Sequence, residues 1–497
     1  MQGTQILENL KSFYPEVTLT AVLLVLILAA AIAPKRDKFM GILTLVGFVV
    51  TAYFLLPQAS FAPHSIFSGM FAVDSFSVFF KWVILLSASL VVIFSMMSRE
   101  LKEGASSVGE YYALLVGMTI GMFLMTGASN LLMMYLAMEL ASISSYILAG
   151  YTKQAADSSE ASLKYVIYGA VASGMMLYGI SLLYGLTGAT DVYGVHRALA
   201  GGGVNTLALT AAGLLIIVGF GYKITAVPFH FWSPDVYEGA PITITAILAV
   251  ASKAAGFAML IRLFTVAFVE GGLEGLQTGV WAVTAGFEWN LVLAAISVLT
   301  MTLGNLVAIW QNNLKRLLAY SSIAHAGYML MGLVVLNNEG ISAILIYFVV
   351  YLFMNLGAFY VVMLVANKTG SEDIETYKGL GYRSPLVAVI MAIFLISLTG
   401  LPPTAGFIGK LYLFAALINA KWFWLAIVGA VNSVISLYYY VRIFRNMFLR
   451  DPDTTEPIRF SLVQVLVLLA LGVPTIVLGL YFGPLVELAQ TSVNLLK

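Results

Sequence analysis

Apolar runs of nearly constant length recur along the chain, separated by short polar breaks. They are too long for strands and too uniformly apolar for helices with one wet face. From "VTLTAVLLVLILAAAIA" at 17 onward, stretches of about 20 apolar residues follow one another, the length that crosses a hydrocarbon core of about 30 Å. Fourteen spans are predicted: 17–33, 38–56, 72–98, 110–127, 130–150, 161–186, 205–238, 241–268, 289–311, 316–336, 340–366, 384–419, 422–448 and 461–484. The expected fold class is an all-α polytopic membrane protein with about fourteen transmembrane helices.

Spans seven and twelve are too long for one crossing, and both carry prolines: Pro228 with Pro234, and Pro402 with Pro403. Proline removes a backbone donor and clashes with the preceding turn, so both helices are expected to break inside the membrane, where irregular backbone survives only if buried in protein or lining a wet cavity. The breaks lie five spans apart. An odd spacing reverses orientation, which predicts two inverted five-helix repeats, spans 4–8 and 9–13. The expected organisation is an N-terminal three-helix region at 1–109, a first repeat at 110–268, a second at 279–450 and a C-terminal helix at 451–497. "NLLMMYLAMELASISSYILAG" at 130 and "NNLKRLLAYSSIAHAGYMLMG" at 312 share Asn, Leu, Ser and Tyr positions at one offset, with Glu139 opposite Ser321.

Composition agrees: 61% of the 497 residues are hydrophobic and 10% charged, far from a soluble balance. With no cysteine, the chain cannot supply a disulfide, a thiolate zinc site or a cysteine-ligated iron–sulfur cluster. A net charge of +1 gives no sign of nucleic acid. Glu8, Lys11 and Glu16 precede the first run without the basic start of a signal peptide, so that run is expected to be a retained helix. Loops after odd-numbered spans carry fifteen Lys and Arg and the other side carries five, Arg262 among them. Both termini are therefore expected on the non-cytoplasmic side. Five lysines remain inside predicted spans: Lys81, Lys164, Lys223, Lys253 and Lys410.

A charge at the bilayer centre costs about 2.5–3.5 kcal/mol on insertion scales, so these residues need partners or water. Glu139 is central in span five, with no basic residue within a turn; a lysine from another span is its expected partner. Lys223, five residues before Pro228, and Lys253, central in span eight, are lysines that burial can make switchable proton carriers. Lys164 reads equally as a snorkelling side chain. Lys81 follows Asp74 by seven residues, two turns on one face, and a local ion pair is expected there. His230 and His325 either relay protons or are hydrogen-bonded core histidines. The histidines lack metal-ligand spacing, so no metal is expected. "TAGFIGKL" fails as a phosphate loop and "GFGYKI" as a dinucleotide loop, each missing required residues. "GMTIG" at 117–121 reads as a close-packing helix face.

The stretches "ELASISSYIL", "KITAVPFHFWSPDVYEGAP", "KRLLAYSSIAHAGYMLMGL", "KGLGYRSPL" and "LTGLPPTAGFIGK" resemble the antiporter-like membrane subunits of respiratory NADH-quinone oxidoreductase (complex I), which are themselves similar to subunits of Mrp-type antiporters. The likeness runs from about residue 70 to 450. Length and span number resemble subunits N and M, and a lysine at 410, where M has glutamate, favours the N branch. The resemblance implies a proton-translocating membrane-arm subunit, coupled to NADH-to-quinone electron transfer in partner subunits. It implies Glu139 and Lys223 as the ion pair of a first half-channel, Lys253 as central relay and Lys410 as terminal residue of a second, with Lys164, His230 and His325 as modulators. No cofactor is implied in this chain; FMN, iron–sulfur clusters, NADH and a quinone would belong to other subunits. The implied partners are neighbouring membrane-arm subunits and the lipid bilayer, and the implied location is a bacterial inner membrane. Alternatives are a subunit of an Mrp-type cation/proton antiporter and one of a membrane-bound hydrogenase-type complex.

Overall fold

The computed structural model describes residues 9–32, 36–104, 108–153, 155–270, 282–283, 288–452, 454 and 456–495. Lys35 and Lys497, two of the loop cations, the 279 boundary and Glu8 lie outside them.

Among the described residues, helices account for all fourteen expected crossings. Spans one to six are Tyr14–Ile32, Asp37–Leu55, Ser75–Met97, Val108–Gly127, Leu131–Ala149 and Ala156–Thr187. Span seven is broken into Thr206–Ile224 and Trp232–Gly239, and span eight runs over Ile242–Ala267. Spans nine to eleven are Trp289–Ala308, Leu314–Val334 and Asn338–Thr369. Span twelve is broken into Pro385–Thr399 and Ala405–Asn419; Phe423–Leu449 and Leu462–Leu480 complete the set. A hairpin pairs His64–Ile66 with Phe71–Val73. Each group of five, spans 4–8 and 9–13, has its break in its fourth member.

The apolar runs make the helices, and polar caps end them. Asp74, Asn130, Asn205, Asn313, Asn337 and Ser461 each accept a backbone N–H of the following first turn. Such a cap stabilises a helix start by about 1 kcal/mol. The caps also fix the register between the two groups. Asn130 bridges to Asp191 and Asn313 bridges to Asp373. The residue equivalent to Asn130 is therefore Asn313 and not Asn312, so Glu139 falls opposite Ser322, one position from the expected Ser321; the doubled asparagine hid the shift.

Spans eight, ten and eleven form the interior, nearly closed on every side, while spans one, two, six, thirteen and fourteen present apolar faces outward. Ile32, Val49, Val434 and Leu462 are exposed, as residues facing hydrocarbon should be. Gly121 of the "GMTIG" face packs directly on the backbone of Ala141, as expected of a close helix contact.

Two expectations about charge are corrected. Asp74 does not pair with Lys81. It caps span three and receives both terminal nitrogens of Arg262, at 2.8 and 2.9 Å, in a fully buried fork. Lys81 instead reaches Glu16 of span one at 2.6 Å, also fully buried. A cap side chain is turned back over its own first turn, so it is not free to run two turns along the helix. Arg262, counted above as a loop cation, sits inside span eight.

Candidate functional site

Three buried lysines lie where helical regularity fails. Lys223 occupies the last turn of the first half of span seven. That helix stops at Ile224 because Thr225 turns left-handed, φ 61°, ahead of Pro228. Trp232 of the second half donates its indole N–H to the Tyr222 carbonyl at 3.1 Å, which also accepts the Thr225 N–H at 3.2 Å, so the two halves are tied at the break. The Lys223 ammonium donates to Ser142 Oγ at 3.1 Å. Ser142 is three residues beyond Glu139 on span five. The expected Glu139–Lys223 contact is not made in this structure: Glu139 is half-buried and its Oε1 has no hydrogen-bond partner among the described residues.

Lys253 follows a π-helical turn, Leu248–Ser252, inside the wholly enclosed span eight. Such turns widen the helix and are frequent at functional sites. Its ammonium donates to Ser322 twice, to Oγ at 2.6 Å and to the carbonyl at 2.7 Å. Tyr351 donates to the same Ser322 hydroxyl at 2.9 Å. One turn along span ten, His325 Nδ1 lies 2.7 Å from the Tyr347 hydroxyl and Nε2 3.4 Å from that of Tyr440. The His325 ring also meets the edge of Tyr328 at 5.7 Å. Ser322, His325 and Tyr328, three residues apart, thus make a polar ladder about 9 Å long on one helix.

Lys410 stands at the far end of that ladder. Span twelve stops at Thr399, Gly400 takes φ 88°, and the helix resumes at Ala405, so Pro402 and Pro403 lie in the expected break. Lys410 folds back across it, donating to the Thr399 carbonyl at 2.8 Å and to Ser433 Oγ at 3.0 Å. Its ammonium lies 4.5 Å from the centre of the Tyr328 ring. A Cβ on Gly400 would meet Lys410 Cδ at 2.6 Å, so glycine is needed both for the left-handed turn and for the lysine's path.

The remaining candidates are placed differently. His230 is buried in the span-seven break, its Nδ1 without a hydrogen-bond partner among the described residues, and is not bonded to any of the three lysines. Lys164 is two turns inside its helix and not near its start; it bonds Glu160 at 2.7 Å and Asp235 at 2.6 Å. It therefore belongs to an ionic network at the end of the molecule that carries the odd-numbered loops. There Arg316 of span ten bridges Asp235 (2.7 Å) and Glu238 (2.5 Å) on the second half of span seven, beside a cavity of about 250 Å³. Lys315 bonds Glu372 at 2.9 Å and the Ala240 carbonyl at 3.0 Å. Glu100 accepts the Ile242 N–H at 3.1 Å, capping span eight. Burial pushes the Glu100 carboxyl above its usual range, against the opposing pull of Lys315.

The sequence pointed to the cations and not to what receives them. Ser142, Ser322, Tyr328, Ser433 and the Thr399 carbonyl are the atoms the lysines touch. One signal was legible: in "YSSIAHAGY" the polar residues Ser322, His325 and Tyr328 share one face of an otherwise apolar helix.

A family model described as "NADH:quinone oxidoreductase/Mrp antiporter, TM" matches residues 128–436. NADH-quinone oxidoreductase subunit N 2 of Chloroherpeton thalassium is 47% identical over 98% of this chain and 94% of that protein. Subunit N of Anaeromyxobacter sp. is 45% identical over 99% of this chain and 98% of its own length. Among solved structures, a chain of respiratory complex I from Thermus thermophilus with bound aureothin superposes with a TM-score of 0.79 at 31% identity, covering 95% of this chain and 98% of that one. A chain of the Mrp complex from Dietzia sp. shares the fold, with a TM-score of 0.81 at 22% identity over 97% of each chain. The chain belongs to the family of antiporter-like membrane subunits typified by subunit N of NADH-quinone oxidoreductase.

Proposed function

We propose that this chain conducts protons within the membrane arm of an NADH-quinone oxidoreductase, alongside neighbouring membrane subunits, through Lys223, Lys253 and Lys410. The observation that carries the reading is the ladder of Ser322, His325 and Tyr328, which links a lysine in the enclosed span eight to a lysine at the span-twelve break. Lysine suits the role because it can release a proton when desolvated, which arginine cannot. Ser322, His325 and the tyrosine hydroxyls can each accept one proton and donate another.

Glu139 supplies the control. In the present geometry Lys223 rests on Ser142. A small movement of Glu139 toward Lys223 favours the charged lysine, and withdrawal favours release toward Lys253. A swing of two pKa units is about 2.7 kcal/mol, against about 2.3 kcal/mol for moving one charge against 100 mV, so the scale suffices. Lys164 and His230 modulate entry from the end bearing the ionic network. Electron transfer takes place in partner subunits holding flavin, iron–sulfur clusters and the quinone site; a cysteine-free chain has no thiolate to ligate a cluster. The membrane is a bacterial inner membrane, with both termini on the non-cytoplasmic side.

Purification of the tagged chain from its own membranes, with the accompanying subunits identified by mass, tests this reading. Flavin- and cluster-bearing subunits and NADH-driven quinone reduction are expected. An all-membrane set of partners with cation-driven proton exchange would establish the antiporter alternative instead.

A further inference from the structure

The ammonium of Lys410 has three N–H bonds and three receivers: the Thr399 carbonyl at 2.8 Å, Ser433 Oγ at 3.0 Å and the face of Tyr328, whose centre is 4.5 Å away. None of these is an acid. No carboxylate forms an ion pair with Lys410 among the described residues, and the first half of span twelve and span fourteen, packed against it, carry no titratable side chain. Among the described residues, the titratable groups around it are His325 and Tyr328 of span ten and Tyr347 of span eleven, with Tyr439 and Tyr440 of span thirteen joined to them through Asn305 and His325. Among the described residues, neither Lys223 nor Lys253 has an aromatic face over its ammonium.

Tyr328 is held in place with unusual care. Its hydroxyl accepts from Asn305 Nδ2 at 3.0 Å, and the oxygen of that amide accepts from Tyr439 at 2.9 Å. Asn305 Nδ2 also reaches the Asn432 carbonyl at 3.1 Å, and the Asn432 amide reaches Thr302 at 3.2 Å. All four side chains, Asn305, Tyr328, Asn432 and Tyr439, are buried. Spans nine, ten and thirteen are thereby locked around one ring. A buried polar network of this kind fixes geometry at the cost of every member needing its partner.

We infer that the Tyr328 ring face is the counter-group of protonated Lys410, doing in this half of the molecule what a carboxylate would do, and that Asn305 is the residue that positions it. A ring face attracts a desolvated cation strongly enough to matter, yet it brings no charge of its own, so Lys410 can release its proton without leaving an unpaired anion in the membrane. The Ser433 hydroxyl can turn to donate to the amine that remains. The inference rests on the proton-conducting reading above.

The test is the pH profile of NADH-driven proton uptake by the whole complex in proteoliposomes. Tyr328→Leu removes the ring face, so Lys410 loses its proton at lower pH, and the alkaline limb of the profile moves down by about one pH unit. Tyr328→Phe keeps the face but loses the Asn305 bond to the hydroxyl, so it moves the limb only part of the way, as Asn305→Leu does. Asn305→Leu frees the ring and moves the limb part of the way, with no further shift when combined with Tyr328→Leu. If Tyr328→Leu does not assemble, Asn305→Leu carries the test alone. An unshifted limb in the assembled Leu variants, or Tyr328→Phe shifting as far as Tyr328→Leu, overturns the inference. Lys410→Met separates the two levels: if it pumps normally, the conducting reading itself falls, whereas loss of pumping with an unshifted Tyr328→Leu removes only the role of the ring.

Discussion

Asp74 and Arg262 are a buried pair whose two hydrogen bonds leave little freedom for either partner, and Asp74 caps a helix as well. Removing one charge strands the other in a site without water, at a cost of about 3–5 kcal/mol. Arg262→Met is therefore expected to lower the thermal unfolding temperature of the purified complex more than the double change Asp74→Asn with Arg262→Met, measured by the loss of ordered assembly on heating. Glu100 behaves in the opposite sense. Because burial raises its carboxyl in the folded chain, the folded state holds a proton that the unfolded state has already lost, so stability falls as pH rises from the ordinary carboxylate range through the raised value. Glu100→Gln should remove that slope between mildly acidic and neutral pH while keeping an acceptor for the Ile242 N–H; an unchanged slope would show that Glu100 is not its source. At this scale the sequence disclosed which residues are costly but not their partners. Spacing suggested Lys81 for Asp74, yet the true partners come from spans far away in the chain, Arg262 for Asp74 and Glu16 for Lys81.

The broken helices were legible because two prolines in a membrane-length run have few other meanings, and the structure adds what the broken ends do. The end of the first half of span twelve offers the Thr399 carbonyl to Lys410, and the second half of span seven is tied by Arg316 to span ten. A helix half cut off from the backbone hydrogen-bond ladder of its other half needs such ties to keep its position. Arg316→Gln should reduce proton uptake by the reconstituted complex, whereas Arg445→Gln, on an exposed face, should leave it unchanged; equal behaviour of the two would remove the role assigned to the tie. Gly400→Ala should be harmful out of proportion to one methyl group, since it opposes φ 88° and collides with the Lys410 stem. The one-residue error in relating the two groups of five had a local cause. Asn312 and Asn313 are indistinguishable as letters, and only the cap and the bridge to Asp373 tell them apart.

Across the whole molecule, spans eight, ten and eleven form the enclosed interior and the outer spans present apolar faces outward. Apolar composition foretold the number and limits of the crossings, since span length is set by the bilayer. It could not foretell which crossings would be central, because an outward leucine and an inward one read alike. The orientation expected from loop charge can be checked directly: in this cysteine-free chain, Lys38→Cys should react with an impermeant thiol reagent from the cytoplasmic side and Lys421→Cys from the other. The reverse pattern would invert the direction of the path. The central claim is that protons cross through the lysines, and Lys253 is its middle member, held by Ser322 within the enclosed core. The decisive measurement is NADH-driven proton uptake into vesicles containing the complex with Lys253→Met, beside its reduction of an artificial electron acceptor. The account predicts that proton uptake attributable to this subunit is lost while artificial-acceptor reduction stays normal; normal uptake by the assembled variant would contradict it.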